Sequence, residues 1–414
     1  MTISQGDVFV NVGRLSSTDT TILKAAAILI IVLHNSLHPF FPKTIDGGNE
    51  FDFTLIRVET FVGEITANIW ALPNMLLAAF GYCGVFLFFF LSAYGISVKY
   101  GDKDGVGFWP FMNHRITKIL VPVLLVSVLL LLFLMAGGSS FGSLKNITPA
   151  NFSLRLSLLS NFSFDQTWKV VGPWWFLSTI VQFYLVFQVI NWGYRRYGGL
   201  FLIAISAASL LLMFFLNAYL YDHGIIVLRA TVLGWLPEIA LGCYFARHPD
   251  ICIRPWIAAI AAGASLAVFV LGSVYESIWV FSSLAILLFM LIVARPMLAA
   301  IKRSRWLARF MIYTGGISVY MFLLSGIVRE PFVHNENLTH PQMSLVAVGV
   351  LALVFGLAAV LMASQKGLVS VVGRASERWA PGRVEGRRRL SPELIAVLAL
   401  GVTVLVEVWF IQMK

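Results

Sequence analysis

The chain has 414 residues, of which 59% are hydrophobic and only 12% charged. Soluble domains carry about 25% charged residues, so these proportions exclude a water-soluble globule, and apolar runs of about 20 residues recur as a bilayer demands. The net charge of +10 sits in short loops beside apolar segments, where it sets orientation and forms no nucleic-acid recognition face.

Residues 1–20 are polar, lack an apolar core with a cleavage site, and read as a cytoplasmic tail. Apolar stretches then predict about eleven spans, over 21–38, 74–98, 116–136, 172–192, 199–218, 229–246, 255–273, 277–295, 309–328, 342–363 and 392–412. Lys and Arg gather in alternate loops: Lys99, Lys103 and Arg115; Arg195 and Arg196; Arg247 and Arg254; Arg295, Lys302, Arg303, Arg305 and Arg309; and Lys366 to Arg389. Counting them places the N-terminus and these loops in the cytoplasm and the C-terminus outside.

Two outer loops, 39–73 and 137–171, are long and carry Trp70, Phe141, Phe152, Phe162 and Trp168, as interfacial or lid segments do. The second holds three glycosylation triplets, at Asn146, Asn151 and Asn161. Residues 364–391 read as a basic, flexible cytoplasmic linker that attracts anionic lipid, and 392–414 as a separate last helix. Cys83, Cys243 and Cys252 lie in or beside spans and form no disulfide framework.

Ionisable groups inside spans are costly and mark function by default. His34 lies about 20 Å along the first helix from its cytoplasmic end, one turn below His38. There it reads either as a general base for a hydroxyl or as part of a polar helix end. Lys24, near the other end, either pairs with phosphate or snorkels to the headgroups. Arg115 and Lys118 share a helical face and suit either a polyphosphate or a positive-inside anchor; Pro122 predicts a kink just beyond. Glu238, in Leu236-Pro-Glu-Ile, sits mid-span and needs a partner whether it is catalytic or structural. Ser92 lacks the surroundings of a nucleophile elbow, and no Walker, dinucleotide-binding or zinc-protease motif occurs.

Taken in order, these segments resemble the acyltransferase-3 family of integral membrane O-acyltransferases. The likeness is carried by the span ending at His34, Gly81 to Tyr94, Arg115-Ile-Thr-Lys118 before Pro122, and Pro173-Trp-Trp-Phe-Leu177. Leu236-Pro-Glu238 to Gly242 and Gly316-Ile-Ser-Val-Tyr320 add to it, and the whole covers roughly residues 20 to 363. The resemblance implies an all-α polytopic bundle, a ten-helix acyltransferase core (21–363) plus one C-terminal helix. It also implies a cytoplasmic acyl-CoA donor, acetyl-CoA above all, no metal, and a glycan or lipid-linked sugar acceptor at the plasma membrane, in bacteria the inner one. By that likeness His34 matches the essential first-helix histidine, Arg115 and Lys118 the basic donor pair, and Lys24 stands near the first-helix arginine.

Departures from the family pattern bear on the donor side. The family spaces that arginine eleven positions before its histidine, whereas Lys24 is ten before His34, about 80° off the shared face. Ser92-Ala93 replaces Ser-Gly. The ninth span reads Met321-Phe-Leu-Leu-Ser325 and then Arg329-Glu330-Pro331, where many members carry Tyr-Leu-x-His. The expected chemistry makes His34 and Glu238 catalytic and Lys24, Arg115 and Lys118 donor-binding. A glycan or lipid flippase is the rival, which would show repeats and helices broken at mid-membrane; a non-catalytic receptor or assembly partner is a third reading.

Overall fold

The chain starts its first helix, α1 (Ser17–Leu37), at a reciprocal cap: Ser16 Oγ accepts from the Asp19 amide while the Asp19 carboxylate accepts from the Ser16 amide. The computed structural model describes residues 10, 11, 13–41, 53–101, 107–135, 149–333, 338–379, 400, 401 and 404. Within the first long outer loop lies α2 (Leu55–Ala67). The second crossing is built from α3 (Leu72–Phe80) and α4 (Gly84–Tyr100), joined by a tight turn at Gly81–Cys83. Helix α5 (Phe108–Met135) runs on through Pro122, and α6 (Pro149–Leu156) lies in the second outer loop.

Then come α7 (Trp175–Tyr197), α8 (Gly199–Asp222), α9 (Leu236–Arg247), α10 (Pro255–Val274), α11 (Glu276–Arg303), α12 (Arg305–Gly316), α13 (Ser318–Val328) and α14 (His340–Trp379). Among the described residues eight helices are long and apolar enough to cross a membrane. The fold is all-α and multi-pass, as the composition demands. The remaining crossings differ from the eleven continuous spans expected, each for a local reason. The ninth is broken, α12 and α13 meeting at 71°. The eleventh, and the part of the expected basic linker beyond Trp379, lie outside the described residues apart from Leu400, Gly401 and Val404; α14 itself continues past residue 363, where a linker was expected.

The sixth span is no continuous helix. Residues Leu228–Ala230 and Val232–Trp235 form tight turns, and α9 begins only at Leu236, with Pro237 in its first turn. Connectivity nevertheless makes this segment a return. Arg195 at the end of α7 donates to the Gly101 carbonyl after α4. Strand β1 (Val10–Asn11) pairs with β2 (Cys252–Ile253), and Arg295 donates to the Arg14 carbonyl. One basic end therefore collects the segment before α1 and residues 101, 195 and 252. Since α8 departs from that end at Gly199, residues 223–251 must bring the chain back.

Burial separates an inner from an outer ring. In the crossing built from α3 and α4, and in that of α7, 72% of the apolar window is buried, against 17% for α8 and for α10. Leu200, Ile203 and Phe215 on α8 and Leu345 and Val360 on α14 are exposed, an apolar belt that only lipid satisfies. Small residues let the inner helices close: a Cβ on Gly242 of α9 would stand 2.5 Å from the Phe90 carbonyl oxygen of α4.

Candidate active site

Inner helix α1 carries His34 to the end of the bundle opposite the basic one. Ring and backbone there define its tautomer. Nδ1 lies 3.0 Å from the Leu77 carbonyl oxygen, and a carbonyl only accepts, so Nδ1 holds the proton. Nε2 then carries a lone pair, buried and without a hydrogen-bond partner among the described residues. It faces a cavity of about 80 Å³ lined by Asn35, His38, Tyr82, Trp168, Trp175 and Arg329, among others.

The same reasoning fixes His38. Its Nδ1–H donates to the His34 carbonyl oxygen at 2.9 Å, and its Nε2 accepts from the Arg329 guanidinium at 3.2 Å. Arg329 also donates to the Asn35 carbonyl oxygen at 2.6 Å, and the Asn35 amide donates to Ser325 Oγ at 3.1 Å. The break between α12 and α13 redirects the chain so that Ser325 and Arg329 meet α1. The two imidazole centroids are 4.7 Å apart. From α2, Arg57 reaches Tyr82, its guanidinium carbon 5.2 Å from the ring centroid.

Gly81 is what allows α1 so close, because a Cβ there would stand 2.6 Å from the His34 Cβ. Trp174 Nε1 donates to the Leu323 carbonyl oxygen at 3.0 Å, tying the start of α7 to α13. Trp175 stacks on Trp235, which stacks on Phe89, so one wall of the cavity is backed by a rigid aromatic column.

Three expected donor-side cations come together at the basic end. Lys24 feels the charges of both Arg115 and Lys118, and Lys118 those of Arg115 and Lys99. Arg115 is held among the Tyr100, Phe111 and Tyr184 rings at 5.1 to 5.8 Å. Lys118 lines a cavity of about 940 Å³ between α5 and α14, with Trp109, His114, Gln365 and Lys366; the Tyr320 hydroxyl donates to Gln365 Oε1 at 2.5 Å.

Glu238 is elsewhere. It is fully buried in the first turn of α9, 3.3 Å from the Arg229 guanidinium, and does not line the His34 cavity. Arg229 in turn donates to the Gly234 carbonyl and Ser283 Oγ and lies over the Trp235 ring. Through these contacts Arg229 ties Glu238 at the start of α9 to the unwound segment before it and to α11.

Sequence reasoning passed over Arg229 as a span boundary, Arg57 as a loop residue, and Arg329 as a departure. An arginine inside or at the end of an apolar stretch, six residues before Trp235 or two before Pro331, was the available signal for Arg229 and Arg329. The triplet at Asn161 is closed to glycosylation in the folded chain: its side chain is fully buried and its amide donates to the Trp175 and Ala230 carbonyls.

A family model described as an acyltransferase domain matches residues 20–364. The chain belongs to the acyltransferase-3 family. It is an acyltransferase acting with a donor and an acceptor, and the matched region contains both the His34 cavity and the cation cluster. No curated protein and no solved structure matches the chain.

Proposed function

We propose that this acyltransferase moves a short acyl group, acetyl above all, from cytoplasmic acyl-CoA to a hydroxyl of a surface glycan or lipid-linked sugar. The observation that carries the reading is the unpartnered Nε2 of His34, its tautomer set by the Leu77 carbonyl. Nε2 takes the proton of the acceptor hydroxyl as its oxygen attacks the thioester carbonyl. Arg329, in the same cavity, offsets the charge that develops on the carbonyl oxygen. The intermediate collapses to the ester and CoA thiolate, which recovers the proton from His34.

Donor and base occupy opposite ends of α1. Ten residues separate Lys24 from His34, about 15 Å of helix, so the CoA phosphates rest among Lys24, Arg115 and Lys118 while the thioester arm reaches inward. The cavity beside Lys118 is of a size that holds a cofactor. With the basic end in the cytoplasm, the acceptor meets His34 from the far side of the plasma membrane. The broken segments that a flippase would use are here occupied by Arg229 and Arg329, which hold packed partners.

The test is twofold. Membranes containing the protein should release CoA thiol from acetyl-CoA in the presence of cell-envelope glycan. The glycan mass should rise by one acetyl increment per modified hydroxyl. Glycans of identical mass with and without the protein contradict the acceptor; thiol release from a longer acyl-CoA alone contradicts the acyl group.

A further inference from the structure

The cavity at His34 holds about 80 Å³, room for two or three water-sized groups and less than a sugar ring. A hydroxyl and a short acyl group fit; the ring that bears the hydroxyl must stop at the mouth. Trp168, at 6.2 Å edge-on to Trp175, lines this cavity from the second outer loop. Trp168 does not belong to a helix. It sits in the irregular stretch 157–171, whose backbone is unusual twice over: Leu158 has φ +64° and Val170 φ +74°. A β-branched residue at positive φ persists only where its surroundings impose it.

One buried side chain braces this stretch. Arg155 of α6 is 1% exposed, and its Nη2 donates to the carbonyls of Gln166 at 2.8 Å, Thr167 at 2.6 Å and Lys169 at 2.9 Å. These carbonyls flank Trp168 on both sides. Burial lowers the guanidinium pKa to about 10, which leaves it charged at neutral pH and the bonds charge-assisted. From below, Asn161 fastens the same stretch to Trp175 and Ala230. At its far end Val171 and Pro173 wedge against Gly326 of α13, where a Cβ would stand 2.7 Å from Val171 Cγ1.

We infer that residues 163–171 form a preset lid on the acceptor side of the His34 cavity, with Arg155 as its positioning residue and Trp168 as the surface on which the acceptor's ring rests. The inference rests on the acyl-acceptor reading of that cavity. A flat indole face suits the apolar face of a pyranose, so the acceptor's ring rests face-on against Trp168 while its hydroxyl enters the cavity.

Diethyl pyrocarbonate, which modifies a neutral imidazole nitrogen, reads the lid without any turnover. Applied to the full protein in liposomes, with adducts located by mass spectrometry, it should modify His34 slowly in the wild type. Arg155→Met, which loses the charged hydrogen bonds that brace the lid, and Trp168→Ala, which removes the covering indole, should each raise the His34 rate about tenfold or more. Trp168→Phe should stay near wild type, and the exposed His114 and His223 should not change in any of them. Trp168→Ala leaves Arg155 in place, so it decides the matter if Arg155→Met fails to fold. A His34 rate unchanged in Trp168→Ala overturns the lid, as does a rise shared by Trp168→Phe. Acetyl-CoA thiol release by the wild type is scored separately: selective His34 labelling without any release keeps the lid and removes the acyltransfer reading of the cavity.

Discussion

Replacing Gly81 by alanine tests how α1 is held. The added Cβ would lie 2.6 Å from the His34 Cβ, 3.3 Å from its Cγ and 3.3 Å from the Ile30 carbonyl oxygen. Ordinary contact begins at 3.4 Å, so α1 and the turn at Gly81–Cys83 must part by about 0.8 Å. The His34 Cβ is fixed by the α1 backbone and the Ile30 carbonyl is backbone, so neither can swing away as a side-chain tip would. Overpacking of this kind costs about 1–3 kcal/mol, and misplacing a catalytic group by about 1 Å costs on the order of a hundredfold in rate. The Nδ1 bond to Leu77 starts at 3.0 Å and would be stretched as well. We expect Gly81→Ala to fold with a lowered melting temperature in detergent and to lose about a hundredfold in kcat with acyl-CoA. Gly356→Ala on α14 is the control, since its Cβ would meet nothing within 4 Å; helix propensity makes it neutral or about 1 kcal/mol more stable. Full activity in a folded Gly81→Ala protein would refute the close approach.

Three more outcomes follow from the same geometry. Glu238→Ala removes the carboxylate partner of buried Arg229 and should cost about 3–5 kcal/mol, read as a fall in melting temperature; an unchanged melting temperature with lost acyl transfer would instead assign Glu238 a catalytic role. Arg115→Ala and Lys118→Ala should each raise the KM for acyl-CoA about tenfold, the equivalent of 1.4 kcal/mol, with kcat little altered, and a KM that stays put removes the cation cluster from the donor site. Arg329→Met should lower kcat by about a hundred- to a thousandfold, as loss of an oxyanion donor does; equal losses in KM for both substrates would assign Arg329 to packing alone.

Composition and periodicity made the membrane architecture legible, because a bilayer forces long apolar runs whatever their neighbours are. His34 was legible too, as an ionisable side chain deep in an otherwise apolar helix. What escaped depends on long-range contact. Nothing local tells that Pro237 starts a half-helix, or that Arg229, nine residues earlier, turns to meet Glu238. The run 309–328 reads as an uninterrupted span, yet the chain bends by 71° between Gly316 and Ser318 and brings Arg329 to His38. Gly316 and Gly315 hint at the bend, and a Cβ on Gly315 would strike the Thr21 carbonyl, but the partner lies almost three hundred residues away. Lys24, by contrast, joins Arg115 and Lys118 despite its shifted spacing, since a long flexible side chain covers about 80° of helix rotation.

The most direct test of the account is the turnover of His34→Gln in purified, reconstituted protein, measured as acyl-CoA thiol released per acyl group transferred. Glutamine can keep a bond near Leu77 but offers no basic nitrogen to the cavity. The account predicts a folded protein with wild-type affinity for acyl-CoA and turnover reduced by about two to four orders of magnitude, the usual contribution of a general base. Turnover at the wild-type rate, with the fold intact, would contradict it.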